Sequence, residues 1–255
     1  MSTMRVYFVA GLLLLPAVSL AAPKDWKALS AEERKAIVGK SASVVVHEPR
    51  ETSLFGVRFM VTTDEEKERV GVLLADPEGR ATDRRHQGGA LLTYDQGDAA
   101  IPVAIPGLVD PAPSMATDLL RHLTTLGVVI PDPAVPPVTR PATPPRGAFV
   151  ADTDVDELIA ESADTDLVLD VQTHVWQIAR NTRLTGIWFT YVSRMTLLDK
   201  RAGTVLLERD CSAFVRHKAS EVGALVDYLA DDMAMLKRDV QEVAGQCKAR
   251  FIESL

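Results

Sequence analysis

Three segments in the second half of the chain decide the fold: LVLDVQTHVW at residues 167–176, GIWFTYVSRMTLL at residues 186–198 and TVLLE at residues 204–208. Their apolar, β-branched and aromatic residues predict strands. The stretch DKRAG at residues 199–203 separates the last two, and its Gly203 supplies the positive φ that a tight hairpin loop needs. The pattern therefore predicts a three-stranded antiparallel meander.

A long helix is predicted to cover this meander. Apolar residues recur at three- and four-residue spacing through residues 220–253, which is typical of one buried helical stripe. Cys247 lies on that stripe, and Cys211 follows the last predicted strand. Two thiols within reach usually form a disulfide in an oxidising compartment, so we expect Cys211 and Cys247 to be bonded. Two separate buried thiols and a catalytic or metal-binding use are the alternatives.

The first half of the chain opens with a helix and a strand. Ser30 and Glu33 have the spacing of a capping box, which predicts a helix that runs to about Val38 and ends at Gly39. The sequence SVVVH at residues 43–47 is short and β-branched, and it predicts a buried strand.

Two further helices are predicted before the meander. The first covers residues 114–126 and is followed by the start of a strand at residues 128–130. The second covers residues 154–162, with Asp152 or Thr153 near its N-cap. Together these elements predict an α/β fold, in which the helices pack on a mixed sheet of about five strands.

Two segments are predicted to be irregular. Residues 50–110 combine short apolar stretches with glycines and a basic run, which indicates a long excursion from the core. Residues 131–147 hold seven prolines in 17 positions, a composition that excludes a regular helix or a central strand. An extended spacer is the expectation there, and a partner-recognition motif is the alternative. The elements on both sides continue one pattern, so residues 22–255 are predicted to form a single domain.

The amino terminus predicts export. Arg5 precedes an apolar run, and the small residues Ser19 and Ala21 occupy the −3 and −1 positions of a cleavage site. Residues 1–21 therefore have the pattern of a secretory signal peptide, cut after Ala21. No Cys follows the apolar run, so the lipid-anchored form of such a signal is not expected, and the predicted location is the periplasm. No later stretch reaches 18 apolar residues, which predicts no transmembrane segment in the mature chain.

Composition and motifs point away from several functions. The net charge of −7 disfavours binding to nucleic acid, which requires clustered Lys and Arg. The motifs of nucleophilic hydrolases, zinc proteases and phosphate-binding loops are missing, and the five histidines are scattered. We therefore predict no catalytic residues, no metal ligands and no cofactor. The candidate binding residues are His174, Trp176 and Trp188, which could line a pocket near the ends of two predicted strands.

The same segments resemble a known group of proteins. The run ADTDLVLDVQTHVW at residues 163–176, the hairpin LLDKRAGTVL at residues 197–206 and the Cys211–Cys247 pair are similar to a family of uncharacterised bacterial envelope proteins, many of them lipoproteins. The resemblance implies an α/β layer with a mixed sheet, similar to the N-terminal domain of TolB and related outer-membrane accessory proteins. The lipobox Cys of the lipoprotein members is absent here, and the resemblance supplies no catalytic residues.

Three functional hypotheses follow. The first is a non-enzymatic periplasmic protein that acts through protein contacts, as an accessory or assembly factor with a partner in the cell envelope. The second is a small-molecule or peptide binding module with its pocket at His174, Trp176 and Trp188. The third is a hydrolase with a dispersed site, for which His174 is the one candidate residue. The sequence leaves the partner and the oligomeric state open.

Overall fold

The computed structural model of the chain describes ten stretches of the sequence. They are residues 28–48, 52–55, 64–73, 100–103, 107–131, 137–140, 154–180, 186–218, 220–222 and 225–255. The predicted signal peptide, residues 1–21, lies outside the described residues. Most of the predicted excursion over 50–110 and most of the Pro-rich segment over 131–147 lie outside them as well.

Helices and strands alternate along the described residues. The helices are α1 (Ala31–Ile37), α2 (Asp64–Leu73), α3 (Ala112–Thr125), α4 (Val155–Glu161), α5 (Leu225–Tyr228) and α6 (Ala230–Ser254). The strands are β1 (Ala42–His47), β2 (Thr52–Phe55), β3 (Ala100–Val103), β4 (Val138–Arg140), β5 (Leu167–Arg180), β6 (Gly186–Asp199) and β7 (Thr204–Lys218). The predicted α/β fold class, with a C-terminal meander and a long helix packed on it, is confirmed.

Strand β5 is the centre of one mixed sheet. On one side it pairs antiparallel with β6, which pairs antiparallel with β7. On the other side its first half pairs parallel with β1 and its second half parallel with β2, because β5 is 14 residues long and both neighbours are short. Strand β4 pairs parallel with β1, and β3 pairs antiparallel with β2. The described sheet thus has seven strands, and three of them, β2, β3 and β4, are short strands from the segments predicted to be irregular.

The two faces of the sheet have different coverings. We call the face that packs against α3 and α6 the inner face, and the opposite one the outer face. Alternate residues of the meander, such as Phe189, Tyr191 and Leu197 of β6, point to the inner face and are fully buried there. Each such side chain contributes about 1.5–3 kcal/mol by leaving water. A second, smaller cluster forms where α4 covers one end of the outer face; its members are Val45, Leu158, Val168 and Leu198.

Local signals in the sequence explain several helix ends. The Ser30 hydroxyl accepts from the Glu33 amide at 3.2 Å, and the Glu33 carboxylate accepts from the Ser30 amide at 2.7 Å, so the predicted capping box is confirmed. Helix α4 is capped by Asp154, whose carboxylate accepts from the Glu157 amide at 3.0 Å. The prediction of Asp152 or Thr153 as the cap was therefore wrong by one or two residues, because every candidate in this acidic run is a good N-cap.

Two strand predictions need correction. Residues 128–130 form no strand; Val129 makes one isolated parallel bridge to Ser41. Strand β7 runs to Lys218, well past the predicted end at Glu208, so Cys211 lies in the middle of the strand and not beyond it. The consecutive charged residues Glu208, Arg209 and Asp210 hid this extension, because they interrupt the apolar alternation that predicts a strand.

The C-terminal helix also begins later than predicted. The long helix α6 starts at Ala230, not at residue 220, and its first turn contains a left-handed segment. Asp231, Asp232 and Met233 have φ values of 52°, 55° and 58° there. Such a conformation costs about 1–2 kcal/mol per residue for a non-glycine. The apolar spacing continues across this break because Leu229 and Met233 are both buried in the same core, so periodicity alone could not reveal it.

Among the described residues, no helix has both the length and the apolar composition needed to cross a bilayer.

Candidate functional site on the outer face of the meander

The structure separates the two tryptophans of the predicted pocket. Trp176 of β5 pairs with Tyr191 of β6 and is 3% exposed on the inner face. Trp188 of β6 pairs with Ala179, three residues further along β5, and so belongs to the outer face. Successive side chains of a strand alternate between faces, and residues an odd number of positions apart lie on opposite sides. Trp176 and Trp188 therefore do not line one pocket.

His174 lies at an irregularity of the same strand. The register between β5 and β6 shifts between Thr173 and Val175, which makes His174 the extra residue of a β-bulge. Its side chain is buried, at 7% exposure. The strand-end position expected from the sequence was wrong because β5 continues to Arg180, which places His174 in the middle of the sheet.

Trp188 instead belongs to an aromatic and basic patch. Its ring stacks on Phe214 of β7, with centroids 5.6 Å apart and an interplanar angle of 21°. The Arg216 guanidinium lies 5.2 Å from the Trp188 ring centroid, within the range of a cation–π contact. Phe214 is 53% exposed although it is held on a rigid strand. We call Trp188, Phe214 and Arg216 the outer patch.

One atom of the outer patch has an unmet hydrogen-bonding need. The indole Nε1 of Trp188 is shielded from solvent, and it has no acceptor within the described part of the chain. A buried donor without a partner costs about 1–3 kcal/mol. This donor is enclosed within the patch, and what the patch presents to another chain is the exposed Phe214 ring beside the Arg216 cation.

A row of polar side chains crosses the outer face between the patch and α4. The row runs over five strands in register: Arg140, His47, Gln172, Arg194 and Asp210. Buried polar groups are tolerated when they are hydrogen-bonded, and each side chain of this row takes part in a hydrogen bond or an ion pair. His47 Nε2 lies 2.6 Å from the Asp170 carboxylate of β5.

Both ends of this row are ion pairs. Arg194 binds the Asp210 carboxylate with two bonds, Nε to Oδ1 at 2.6 Å and Nη2 to Oδ2 at 3.0 Å. Arg140 contacts Glu157 and Glu161 of α4 at 2.6 Å each. Burial acts to lower the pKa of Arg140, but the bonds to these glutamates outweigh it and raise that pKa above its usual value. The row therefore locks α4 and β4 onto the sheet and keeps its charged groups paired.

A second polar cluster joins the inner face to the C-terminal helices. The Asp239 carboxylate of α6, 1% exposed, accepts from the Tyr228 hydroxyl at 2.6 Å and lies 2.6 Å from His217 Nε2 of β7. Burial raises the pKa of Tyr228, and the hydrogen bond to Asp239 raises it further. No motif in the sequence predicted this cluster. Its one signal is Asp239 itself, a charged residue placed between Leu236 and Val243 on the inward stripe of α6.

A smaller cluster of the same kind lies beneath α3. The Thr173 hydroxyl donates to the Asp110 carboxylate at 2.6 Å and lies 3.0 Å from the Tyr191 hydroxyl. Burial is the main cause that raises the pKa of Tyr191. Asp110 also accepts from the Ala112 amide at 2.9 Å, so this carboxylate fixes the start of α3 on the sheet.

The two cysteines form a disulfide between β7 and α6. The Cα atoms of Cys211 and Cys247 lie 5.5 Å apart, and both side chains are fully buried. Next to this bond the Arg250 guanidinium donates to the Ser212 carbonyl at 2.8 Å. The expected pairing thus holds, although it ties the middle of β7 to α6 and not the end of the strand. Within the described ranges, no cluster of three or more His, Cys, Asp or Glu side chains is arranged to hold a metal ion.

Comparisons with known proteins give only distant resemblances. No protein-family model and no curated protein matches the chain. Among solved structures, a Xanthomonas campestris protein of family DUF330 matches at 12% identity over 35% of this chain, with a TM-score of 0.27. The chain spans 46% of the length of that protein.

Two alignments that cover more of this chain have similarly low sequence identities and TM-scores. Lipoprotein GNA1162 from Neisseria meningitidis matches at 14% identity over 82% of this chain and 98% of its own, with a TM-score of 0.23. A hypothetical protein from Chlamydia trachomatis matches at 7% identity over 82% of this chain and 96% of its own, with a TM-score of 0.25. These values carry no argument about function, and the resemblance to TolB stays a prediction.

Proposed function

We propose that this protein is exported to the periplasm and acts there through protein contacts, as an accessory or assembly factor of the cell envelope. The outer patch is the observation that carries the proposal. Trp, Phe and Arg are enriched where proteins bind one another, and here they are presented on a strand that the core holds rigid. The patch is thus pre-organised, which lowers the entropy lost on binding.

Two further observations support the proposed compartment. The signal-peptide pattern of residues 1–21 precedes the fold, and a buried disulfide joins Cys211 to Cys247. Disulfides form and persist in oxidising compartments such as the bacterial periplasm.

The other two hypotheses receive less support from the geometry. A pocket that contains both Trp176 and Trp188 requires them on one face of the sheet, and they lie on opposite faces. A hydrolase site at His174 requires a nucleophile and a substrate cleft around a residue that lies in a β-bulge at 7% exposure. We therefore propose neither.

In-cell photo-crosslinking tests the contact role. A photo-reactive amino acid replaces Phe214 in the outer patch, and in a control chain it replaces Val129, which is 49% exposed compared with 53% for Phe214. We expect the Phe214 position to capture a defined envelope protein and the Val129 position not to capture it. Equal capture at both positions, or capture at neither, would contradict the proposal.

Thiol trapping tests the compartment separately. In cells lysed with an alkylating reagent, we expect the two cysteines to be oxidised and the chain to be found in the periplasmic fraction. A reduced chain that stays in the cytoplasm would contradict export, whatever the crosslinking shows.

A further inference from the structure

Strand β7 forms one edge of the sheet. It is 15 residues long, and within the described residues it pairs with β6 alone. An edge of this length offers a row of backbone donors and acceptors to any strand that can lie beside it. Proteins usually discourage such pairing with charged side chains, and β7 carries charged residues toward both of its ends.

The backbone groups on the free edge can be identified. The residues of an antiparallel edge strand alternate, so every second one directs its amide and carbonyl away from the ladder. The Lys218 amide donates to the Glu221 carboxylate at 2.9 Å, so this group is not used by β6. The His217 carbonyl, in contrast, lies against Gly186 of β6. The even-numbered residues of β7 therefore face the free edge.

The side chains of these even-numbered residues lie on the outer face, and their charges are segregated along the strand. Glu208 and Asp210 come first, Ser212 and Phe214 occupy the middle, and Arg216 and Lys218 come last. A parallel copy in register would place like charges side by side along this strand. An antiparallel copy places the acidic end of one strand beside the basic end of the other.

We propose that β7 of one chain pairs antiparallel with β7 of a second copy, about a two-fold axis at Ala213. This register places Glu208 opposite Lys218 and Asp210 opposite Arg216, and symmetry doubles both ion pairs. It places Ser212 opposite Phe214, and both present edge-facing backbone groups. A shift of the axis by one residue in either direction leaves one of the two ion pairs on each side. The two sheets become one continuous sheet.

The amide and carbonyl of Lys218 are already bonded within the chain to Glu221 and Val222, so Lys218 meets Glu208 of the second copy through side chains alone. Contacts nearer the axis are compatible with a backbone ladder. Asp210 is half-exposed beside Arg194, so its carboxylate retains lone pairs for a second guanidinium. The Ser212 carbonyl likewise has two lone pairs and can accept from Arg250 and from the partner chain. The two copies of Phe214 lie diagonally across the axis at about 7–8 Å, within reach of each other's rings. The inference does not depend on the envelope role, because it concerns the purified chain alone.

A proline at the free edge gives the first test. Phe214→Pro removes an edge-facing amide without removing a bond to β6, whereas the control Phe214→Ala keeps that amide. Sedimentation equilibrium of the mature chain is expected to show a dimer for wild type, a dimer weakened by less than about tenfold for Phe214→Ala, and a monomer for Phe214→Pro. A wild-type chain that remains monomeric up to about 100 µM would overturn the proposal, as would an unchanged dimer in Phe214→Pro.

A charge swap tests the register without altering the backbone. Glu208→Lys alone and Lys218→Glu alone each place like charges opposite one another at two symmetric positions, and we expect each to weaken the dimer about tenfold. The double variant restores opposite charges, and its dissociation constant is expected to return to within about threefold of the wild type. Additive weakening in the double variant would exclude this register.

Cysteine crosslinking gives an independent readout of the same register. A mixture of Ser212→Cys and Phe214→Cys chains is expected to form an interchain disulfide, because directly opposed residues lie about 5.5 Å apart at Cα. Either variant alone places its new thiols on the diagonal, beyond the reach of a disulfide. A crosslink in the single variants and not in the mixture would contradict the two-fold axis at Ala213.

Discussion

The inner and outer faces of the meander are made by the same three strands, yet they differ in almost every physical property. Phe189 on the inner face is fully buried beneath the helices, whereas Phe214 on the outer face is half-exposed. The disulfide and the Asp239 cluster attach the inner face to α6. The outer patch carries an exposed aromatic ring and a cation. The difference indicates that one face stabilises the fold and that the other, among the described residues, carries the exposed aromatic ring.

The largest expected effect comes from truncating one phenylalanine on each face. Phe189→Ala removes a fully buried ring and leaves a cavity, so the free energy of unfolding is expected to fall by about 3–5 kcal/mol. Phe214→Ala is expected to lower it by about 1 kcal/mol or less, because the ring is already half in water. Urea denaturation of both variants measures the two values. Equal losses would show that the outer face is also part of the core.

The disulfide gives the next largest effect on the inner face. Its two cysteines are 36 positions apart, and restriction of the unfolded chain by a loop of this size is worth about 3–4 kcal/mol. The double variant Cys211→Ala with Cys247→Ala is expected to lose about that amount in urea denaturation. The reduced wild type serves as the control for the loss of the sulfur atoms themselves. An unchanged midpoint in both samples would mean that α6 is held on β7 by packing alone.

A smaller effect is expected at the buried Tyr228. Tyr228→Phe removes a hydrogen bond to the Asp239 carboxylate, a bond to a charged group worth about 1.5–3 kcal/mol. The matched control is Tyr191→Phe, whose hydroxyl contacts the neutral Thr173, and it is expected to cost about 1 kcal/mol. A larger loss for Tyr191→Phe than for Tyr228→Phe in urea denaturation would contradict the assignment.

Tyr228 also gives a pH dependence with a defined sign. The pKa of this tyrosine is raised in the folded chain, first by burial and then by Asp239, so the folded state holds the phenolic proton more tightly than the unfolded state does. The resulting stability is fully present below about pH 10, the usual tyrosine pKa, and it is lost as the pH rises above that value. The wild type should therefore lose stability above about pH 10 more steeply than Tyr228→Phe does, as measured by urea denaturation across that range.

The smallest effect is expected at the hairpin end of the sheet. Burial acts to raise the pKa of Asp199, but the hydrogen bonds from Lys40 and the Ala202 amide outweigh it and lower that pKa. Asp199 thus contributes stability that is present above about pH 3.9 and is lost as the pH falls through the lowered value. Asp199→Asn is expected to lower the free energy of unfolding by about 1 kcal/mol at pH 7. The variant is also expected to lose less stability than the wild type as the pH falls below about 3.9. If the variant and the wild type lose the same stability as the pH falls, in urea denaturation, that loss belongs to other carboxyl groups.

The sequence predicted the inner face well, because its signals are local and periodic. The apolar alternation in β6, the capping box at Ser30 and the stripe that carries Cys247 each follow from residues close together in the chain. Such patterns determine an element and the face that it buries. The α/β class, the meander and its cover by α6 could therefore be predicted from the sequence alone.

The outer face could not be predicted to the same extent. The register between β5 and β6 decides that Trp176 and Trp188 lie on opposite faces, and the bulge at His174 shifts that register. The extension of β7 past Glu208 brings Phe214 beside Trp188, although charged residues interrupt the apolar pattern there. Both facts depend on pairing between strands, which alternation within one strand does not specify.

Amide hydrogen exchange along β7 tests most directly whether the inner face stabilises and the outer edge makes contacts. In dilute solution we expect slow exchange for the odd-numbered amides bonded to β6, and fast exchange for those of Asp210, Ser212, Phe214 and Arg216 on the free edge. At high concentration, these four edge amides are expected to become protected as the second copy pairs with them. Uniform protection along β7 in dilute solution would contradict the account, because it would mean that the edge is already covered within a single chain.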